Sequence, residues 1–141
     1  MKIGTSSTNQ QQTLNINKRP QLALDAAFKK TDSGIDIYIE RHGQGEKSVE
    51  GSRLKVHYEG WLAEDYKMFD SSRLKRVPFE FELGKGKVIS GWDKALKDVR
   101  QGTKMQIKIP AKLAYGRNGV TSMGIPPNAD LIFKVEVLKV S

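Results

Sequence analysis

The sequence predicts an antiparallel α+β domain, and two patterns carry that prediction. Apolar and polar residues alternate in a succession of short segments between Ile35 and Val137, which is typical of strands with one buried face. A single segment near Trp92 instead places its apolar residues at helical spacing. Because the strands follow one another and do not alternate regularly with helices, a parallel βαβ sheet is excluded.

Five segments have the two-residue period of a half-buried strand. Their apolar positions are, in chain order, Ile35, Ile37 and Ile39; Leu54, Val56 and Tyr58; Phe79, Phe81 and Leu83; Met105, Ile107 and Ile109; and Leu131, Phe133, Val135 and Val137. Gly43-Gln44-Gly45 ends the first segment and Pro110 ends the fourth, because glycine and proline weaken regular strand pairing. Residues 65–78 are polar, basic and irregular, a surface excursion of the kind that often carries function.

One helix is predicted between the third and fourth strands. Trp92, Leu96 and Val99 recur at i, i+4 and i+7, so they share one helical face, and Gly102 ends the helix. Ser90 and Asp93 have the spacing of a capping box, with the acidic residue three positions after the capping hydroxyl. We therefore expect the Trp92 face of this helix to pack on the sheet.

The N-terminal part of the chain has a different composition. Residues 1–20 consist mainly of Thr, Ser, Asn and Gln with scattered lysines, and they hold too few apolar side chains to offset the entropy of ordering them. We expect a disordered tail here. Residues 21–30 contain strong helix formers and predict a short helix. We accordingly divide the chain into a polar, basic tail, 1–32, and a domain, 33–141.

Composition bounds the functions that the chain can have. Its 141 residues include no cysteine and only two histidines, which excludes disulfide, thiolate-metal and thiol redox chemistry and argues against a histidine-rich metal site. There is no signal-like or membrane-length apolar run, so we expect a cytoplasmic protein without membrane contact. The formal net charge of +8 leaves three interpretations open: nucleic acid binding, an acidic partner, or a solvated basic surface.

Some residue types that often carry chemistry occur here without the context that the chemistry needs. Gly84–Ile89 lies between a strand and the helix but lacks the third glycine and the βαβ setting of a dinucleotide site, so a tight turn is predicted. His42 and His57 have no partner at metal or triad spacing and are interpreted as solvated. Ser71 and Ser72 lack a nucleophile elbow and are interpreted as turn residues.

Aromatic residues are spread over nearly every predicted element. Most of them suit a hydrophobic core, which is the simpler interpretation. Phe69 and Tyr115, however, lie in irregular segments flanked by polar residues, where core packing explains them poorly. An aromatic pocket with a few polar groups is the general form of a small-ligand or peptide site, and these two residues indicate such a pocket.

Eight short motifs stand in order between about Ser33 and Val140. They are VHYEG at 56–60, FDSS at 69–72, FEF at 79–81, LG at 83–84, VISGW at 88–92, AYG at 114–116, IPPNA at 125–129 and LIFKVEV at 131–137. Together they resemble the FK506-binding protein (FKBP) family of peptidyl-prolyl cis-trans isomerases. The resemblance implies a twisted antiparallel sheet of five to six strands wrapped around one short helix.

The resemblance also implies a pocket between the sheet and the helix. It assigns catalytic roles to Asp70, Tyr115 and Trp92, with Trp92 as the pocket floor. It assigns substrate- or inhibitor-binding roles to the residues of the walls, which are Tyr58, Phe69, Phe79, Val88, Ile89, Ile125 and Phe133. The implied polar groups are the Asp70 carboxylate, the Tyr115 hydroxyl and the backbone N–H of Ile89.

The activity implied by the resemblance is isomerisation of X-Pro bonds in peptides and folding proteins, with binding of the macrolides FK506 and rapamycin. No cofactor, metal or covalent step is expected, because rotation of an amide needs only stabilisation of its twisted form. We expect a monomer and no nucleic acid partner. Two alternatives stay open: a docking or chaperone module for proline segments with little turnover, and polyanion binding by the basic tail.

The chain departs from the family pattern in the loop after Asp70. Relatives often carry an arginine that pairs with the aspartate, whereas this chain has Lys75, which cannot copy a bidentate guanidinium. We therefore expect Asp70 to be held less firmly, or by Arg73 or Arg76. Basic residues in the segments expected to rim the pocket should bias which proline segments approach; they are Arg73, Lys75, Arg76, Lys85, Lys87 and Arg117.

Overall fold

The computed structural model describes residues 20–141, so nearly all of the tail expected to be disordered lies outside the described residues. The strands are β1 (Lys29–Lys30), β2 (Asp36–Arg41), β3 (Gln44–Lys47), β4 (Arg53–Leu62), β5 (Met68–Ser71), β6 (Phe79–Glu82), β7 (Arg100–Gln101), β8 (Lys104–Ile109) and β9 (Leu131–Val140). The helices are α1 (Ser72–Lys75) and α2 (Ser90–Ala95), with 3-10 turns at Asp25–Ala27, Ala111–Leu113 and Thr121–Met123. No helix within residues 20–141 is long and apolar enough to cross a membrane.

Strand pairing in this part of the chain is antiparallel throughout, which confirms the predicted fold class. The main sheet has the order β1-β2-β8-β9-β4-β5, and β6 pairs with the first half of β4. Its seven strands exceed the predicted five to six because β1 and β5 are pairings of two and four residues, too short for an alternation pattern to reveal. Strands β3 and β7 form a separate two-stranded ribbon.

The longest pairing joins β4 to β9 and carries the core. Val56 lies opposite Val137 and Tyr58 opposite Val135, and all four side chains are buried. Alternate residues of the same strands, such as Lys55, are more exposed, so the predicted two-residue period is confirmed. The buried face packs on α2, whose Trp92 side chain belongs to the same hydrophobic cluster.

Helix α2 is shorter than its apolar pattern predicts, and its start is stabilised differently. It covers Ser90–Ala95 with no side-chain capping hydrogen bond, so the predicted capping box of Ser90 and Asp93 is wrong. Asp93 instead accepts hydrogen bonds from the backbone N–H groups of Gly84 (2.8 Å) and Gly86 (3.1 Å). Both glycines have positive φ, so the carboxylate fixes the predicted tight turn that leads into the helix.

The short helix predicted for residues 21–30 is wrong. Asp25–Ala27 forms a single 3-10 turn, and Lys29–Lys30 is an edge strand that pairs with β2. Phe28 is buried, and its ring lies 6.0 Å from the Tyr38 ring, so side-chain packing on the sheet overrides the helix propensity of this stretch. The sheet therefore begins before the predicted domain boundary, and that boundary itself stays a prediction.

A buried serine closes the far end of α2. Ser48 donates a hydrogen bond from Oγ to the backbone oxygen of Leu96 (2.6 Å) and accepts one from the N–H of Val99 (3.0 Å). Because Ser48 directly follows β3, these two bonds tie the β3–β7 ribbon to the end of the helix.

Replacing Ser48 with alanine should lower the free energy of unfolding by about 1–3 kcal/mol, because two buried backbone groups lose their partner. The matched control is Ser52→Ala, since Ser52 Oγ accepts one exposed hydrogen bond from Val49 (2.9 Å). That control should lose less than about 1 kcal/mol. Urea unfolding curves measure both changes, and equal destabilisation by the two substitutions would contradict this role of Ser48.

Candidate active site

A cavity of about 150 Å³ lies between the sheet and helix α2. Its lining is mainly aromatic and aliphatic and comes from segments far apart in the sequence: Tyr58, Phe69, Asp70, Phe79, Lys87, Val88, Ile89, Trp92, Tyr115 and Phe133. Strands β4, β5, β6 and β9 and helix α2 each supply at least one of these residues. The cavity therefore exists only where these four strands of the main sheet meet helix α2.

Trp92 is the centre of the aromatic packing around the cavity. It is 4% exposed, and its ring centroid lies 5.1 Å from that of Tyr58 and 5.3 Å from that of Phe133, both in edge-to-face geometry. Such pairs contribute about 0.5–1.5 kcal/mol beyond the burial of their area. The Trp92 Nε1–H has no hydrogen-bond partner within residues 20–141, so ring packing sets the position of this side chain.

Two lining aromatics meet because residue 60 is a glycine. A Cβ on Gly60 would lie 2.6 Å from Phe69 Cζ and 2.9 Å from Phe133 Cε1, which is closer than carbon atoms pack. Without it, the two rings form an edge-to-face pair with centroids 5.6 Å apart. Gly60 on β4 thus allows side chains from β5 and β9 to close one side of the cavity.

Asp70 carries the one carboxylate among the lining residues, and three groups hold it in place. The Tyr58 hydroxyl donates to Oδ2 (2.5 Å), and the backbone N–H of Ser71 donates to Oδ1 (2.8 Å). Lys75 Nζ lies 3.0 Å from Oδ1. Lys75 therefore forms the ion pair with Asp70 that the resemblance would have assigned to an arginine.

The two neighbouring arginines do not hold Asp70, so that part of the expectation is wrong. Arg73 pairs with Glu136 on β9, with Nη2 2.5 Å from Oε1. Arg76 follows helix α1 in the left-handed conformation, and its backbone N–H donates back to the oxygens of Arg73 and Ser72. Helix α1 thus directs its basic residues to different carboxylates, which sequence order alone does not reveal.

Burial and hydrogen bonding set the protonation states in the cavity. Burial by itself raises the pKa of Asp70, but the hydrogen bonds from Tyr58 and Lys75 outweigh it and leave that pKa below its usual value. Burial, followed by the interaction with the Asp70 carboxylate, raises the pKa of the hydroxyls of Tyr58 and Tyr115. At neutral pH the cavity therefore holds one carboxylate anion and two neutral phenol hydroxyls.

Two donors at the cavity have no partner in the described part of the chain. The hydroxyl of Tyr115 and the backbone N–H of Ile89 make no hydrogen bond with any of residues 20–141. Both residues are half-buried. A carbonyl oxygen that enters the cavity can accept a hydrogen bond from either donor.

His57 and Ser72 are hydrogen-bonded to each other beside Tyr58. His57 Nδ1 lies 2.8 Å from Ser72 Oγ, which also accepts a hydrogen bond from the N–H of Tyr58 (2.7 Å). The interpretations of His57 as solvated and of Ser72 as a turn residue are therefore wrong.

Ser71, likewise buried, caps α1 by accepting a hydrogen bond from the N–H of Leu74 (3.2 Å). These contacts depend on β4 lying beside α1, which no sequence period reveals.

Nine of the ten predicted site residues line the cavity together, and their catalytic and binding roles stay predictions. The exception is Ile125, which is 2% exposed in the hydrophobic core and forms an isolated bridge with Val120. Lys87 lines the cavity but was expected only at its rim. The sequence feature that could have identified Lys87 as a lining residue is its position directly before the VISGW motif at 88–92. Within residues 20–141, no cluster of three or more histidine, cysteine or carboxylate side chains could hold a metal ion.

Residues 44–138 match the family model of the FKBP-type peptidyl-prolyl cis-trans isomerases. The chain belongs to this FKBP family. The resemblance and the enzyme class predicted from the motifs are thereby confirmed. The matched range contains all ten residues that line the cavity, so the cavity lies within the FKBP domain.

Two curated relatives illustrate the similarity of this FKBP chain to known proteins. The FK506-binding protein of Neisseria meningitidis serogroup B is 43% identical over 107 residues, which cover 76% of this chain and 96% of the relative. The peptidyl-prolyl cis-trans isomerase FPR2 of Saccharomyces cerevisiae is 47% identical over 94 residues, which cover 67% of this chain and 69% of the relative.

Two solved structures share the fold of this FKBP chain. The crystal structure of FkpA from Escherichia coli superimposes with a TM-score of 0.75 and 38% identity over 83% of this chain. The match spans only 53% of that FkpA chain. The crystal structure of AtFKBP13 gives a TM-score of 0.74 and 35% identity, over 81% of this chain and 98% of the other. The predicted FKBP fold is confirmed by both.

Removal of the Asp70 charge should change stability in a pH-dependent way. Because the folded-state pKa of Asp70 lies below its unfolded value of about 3.9, its contribution is present above about pH 4 and is lost as pH falls through the folded pKa. Asp70→Asn should therefore be less stable than wild type by about 1 kcal/mol at pH 7, and the difference should shrink below about pH 4.

Denaturant unfolding at several pH values between about 3 and 7 measures this difference. The control is Asp98→Asn, at an exposed position whose φ of 64° asparagine tolerates well. It should change stability less than Asp70→Asn does at pH 7. A wild-type advantage over Asp70→Asn that is equally large at both ends of the pH range would show that the ionised carboxylate is not the stabilising species.

Proposed function

We propose that this chain accelerates cis–trans isomerisation of X-Pro bonds in peptides and folding proteins. The observation that carries the proposal is the cavity itself, in which an aromatic lining around Trp92 surrounds two unpartnered donors, Tyr115 Oη–H and Ile89 N–H. Membership of the FKBP family supports the same activity. The substrate would place its proline ring against the aromatic side chains and its neighbouring carbonyl groups near the donors.

Isomerisation of an X-Pro bond is slow because the amide loses its resonance while it rotates. The barrier is about 18–20 kcal/mol, and exchange without a catalyst takes about tens to hundreds of seconds. A twisted amide is less polar than a planar one, so an apolar cavity that excludes water favours the twisted form over the ground state. Each decrease of about 1.36 kcal/mol in the barrier accelerates the reaction tenfold, and no covalent intermediate is needed.

Three residues would carry this chemistry. Trp92 offers the apolar ring on which the proline packs. The Tyr115 hydroxyl donates to a carbonyl next to the rotating bond and holds it in the twisted geometry. Asp70 orients the Tyr58 hydroxyl, and its negative charge helps to keep the hydroxyls of Tyr58 and Tyr115 protonated.

Isomerisation of an X-Pro peptide, or proline-limited refolding of a protein, tests the activity. Tyr115→Phe should lower kcat/KM about two- to tenfold, because one hydrogen bond to the substrate is lost. Asp70→Val should lower it by about tenfold or more, because the Tyr58 hydroxyl loses its acceptor. The matched control is Tyr38→Phe, which removes a phenol hydroxyl next to Phe28, outside the cavity. No acceleration by the wild-type chain would refute the proposal.

FK506 and rapamycin are proposed to occupy the same cavity. The apolar lining supports this, and so does the similarity to the Neisseria meningitidis relative, which is named an FK506-binding protein. Addition of FK506 to the isomerisation assay should abolish the acceleration. Full activity at a saturating concentration of FK506 would show that the macrolide does not occupy the cavity that catalyses isomerisation.

A second candidate function is docking of unfolded or proline-bearing segments with little turnover. It is favoured by two exposed apolar side chains in the segment between Asp70 and Phe79, because Leu74 is 76% exposed and Val77 is 57% exposed. Binding of an unfolded protein without proline separates the two functions. Tight binding of that protein by a chain that does not accelerate X-Pro isomerisation would establish docking in place of catalysis.

The setting in which the chain acts is part of the proposal. From the composition we propose a cytoplasmic setting, and from the family resemblance a monomer whose partners are proline-containing peptides and unfolded proteins. Binding of a polyanion by the basic N-terminal residues stays an open alternative, because residues 1–19 lie outside the described part of the chain.

A further inference from the structure

Lys87 is a cation at the cavity that pairs with no carboxylate. It lines the cavity beside Val88 and Ile89, and its side chain is exposed. Within residues 20–141 it forms no salt bridge and no hydrogen bond. Residues 1–19 contain no aspartate or glutamate, so they offer no side-chain carboxylate to this lysine either.

The described carboxylates on the neighbouring elements form no ion pair with Lys87: three are held by other groups, and Glu82 on β6 does not reach Lys87. Asp93 accepts from two backbone N–H groups of the turn that precedes Lys87. Glu50 Oε2 lies 3.4 Å from Lys85 Nζ. Glu80 Oε1, on β6, lies 3.4 Å from Arg53 Nε. Lys87 therefore has no carboxylate within ion-pair distance in the loop or on the adjacent strand.

The one carboxylate that lines the cavity is balanced as well. Asp70 Oδ1 lies 3.0 Å from Lys75 Nζ, and Asp70 Oδ2 accepts the Tyr58 hydroxyl. Because Asp70 is paired with Lys75, Lys87 is the charged lining residue that has no ion-pair partner within residues 20–141. An anionic group of a bound segment would meet an unpaired cation there, whereas a cationic group would be repelled.

We propose that Lys87 is a specificity-determining residue that favours proline segments with an aspartate or glutamate close to the proline. This inference rests on the proposed function, because it assumes that the cavity holds the proline. An extended chain advances about 3.3–3.6 Å per residue, and a fully extended lysine side chain reaches about as far as two such residues, so the acidic residue lies within about two positions of the proline. Such a pairing at an exposed site changes affinity about two- to fivefold.

Matched peptides test the proposal with the full-length chain. Each pair has one X-Pro bond and differs only in glutamate against glutamine, placed one or two positions before or after the proline. For at least one placement the wild-type chain should give a kcat/KM about two- to fivefold higher for the glutamate peptide at low ionic strength. Raising the salt concentration to about 1 M should reduce that ratio toward one, because the Debye length falls to about 3 Å.

Variants assign the preference to one side chain. Lys87→Gln should bring the glutamate-to-glutamine ratio close to one, and Lys87→Glu should invert it. The matched control is Lys85→Gln, which removes the same charge two residues earlier from a lysine that pairs with Glu50 and does not line the cavity. This control should keep the wild-type ratio. A wild-type ratio of one at every placement, or a ratio that Lys87→Gln leaves unchanged, overturns the proposal.

Peptide binding, followed by tryptophan fluorescence, separates this proposal from the proposed catalytic function. If the wild-type chain accelerates no peptide but binds the glutamate peptides more tightly, and Lys87→Gln abolishes that difference, the specificity role of Lys87 stands and the catalytic function fails. Equal acceleration and equal binding of the two peptides by the wild-type chain would leave the catalytic function in place and refute the role of Lys87.

Discussion

The pairing of β4 with β9 is the constraint on which the rest of the structure depends. Its register sets Gly60 directly opposite Phe133, and the two-residue alternation places Tyr58 and Phe133 on the face that packs on Trp92. A slip of β4 by one residue would turn Tyr58 to the other face of the sheet and would bring Glu59 or Trp61, in place of Gly60, opposite Phe133. Register, core packing and the shape of the cavity are therefore determined together.

Much of this fold and site could be predicted from the sequence, because the relevant signals are local. Alternating apolar positions at 54–58 and 131–137 predict the centres of β4 and β9, and short motifs indicate nine cavity residues. What could not be predicted rests on contacts between distant segments. Ser48 bonds to Leu96, 48 positions away, and His57 meets Ser72 across a strand and a helix. At residues 21–30, burial of Phe28 overrides a local helix propensity.

Lys75 pairs with the Asp70 carboxylate at a position where the resemblance leads one to expect an arginine. A guanidinium would bind a carboxylate through two parallel hydrogen bonds, whereas Lys75 meets only Oδ1 of Asp70. The second oxygen is occupied by the Tyr58 hydroxyl, and the Ser71 N–H adds a further donor. The carboxylate is thus held by donors from three separate elements, so its orientation does not depend on the geometry of one cation.

The cavity is assembled from four strands and one helix that are separated in the sequence. A ligand can therefore occupy it only while the whole domain is folded. No local segment can retain the cavity once the sheet and α2 separate, so a ligand that fits it has no comparable site on the unfolded chain. Any such ligand stabilises the native state by mass action, by about 2.7 kcal/mol at a free concentration one hundred times its Kd. Ligand concentration therefore acts on the folding equilibrium of the entire domain and not on a single loop.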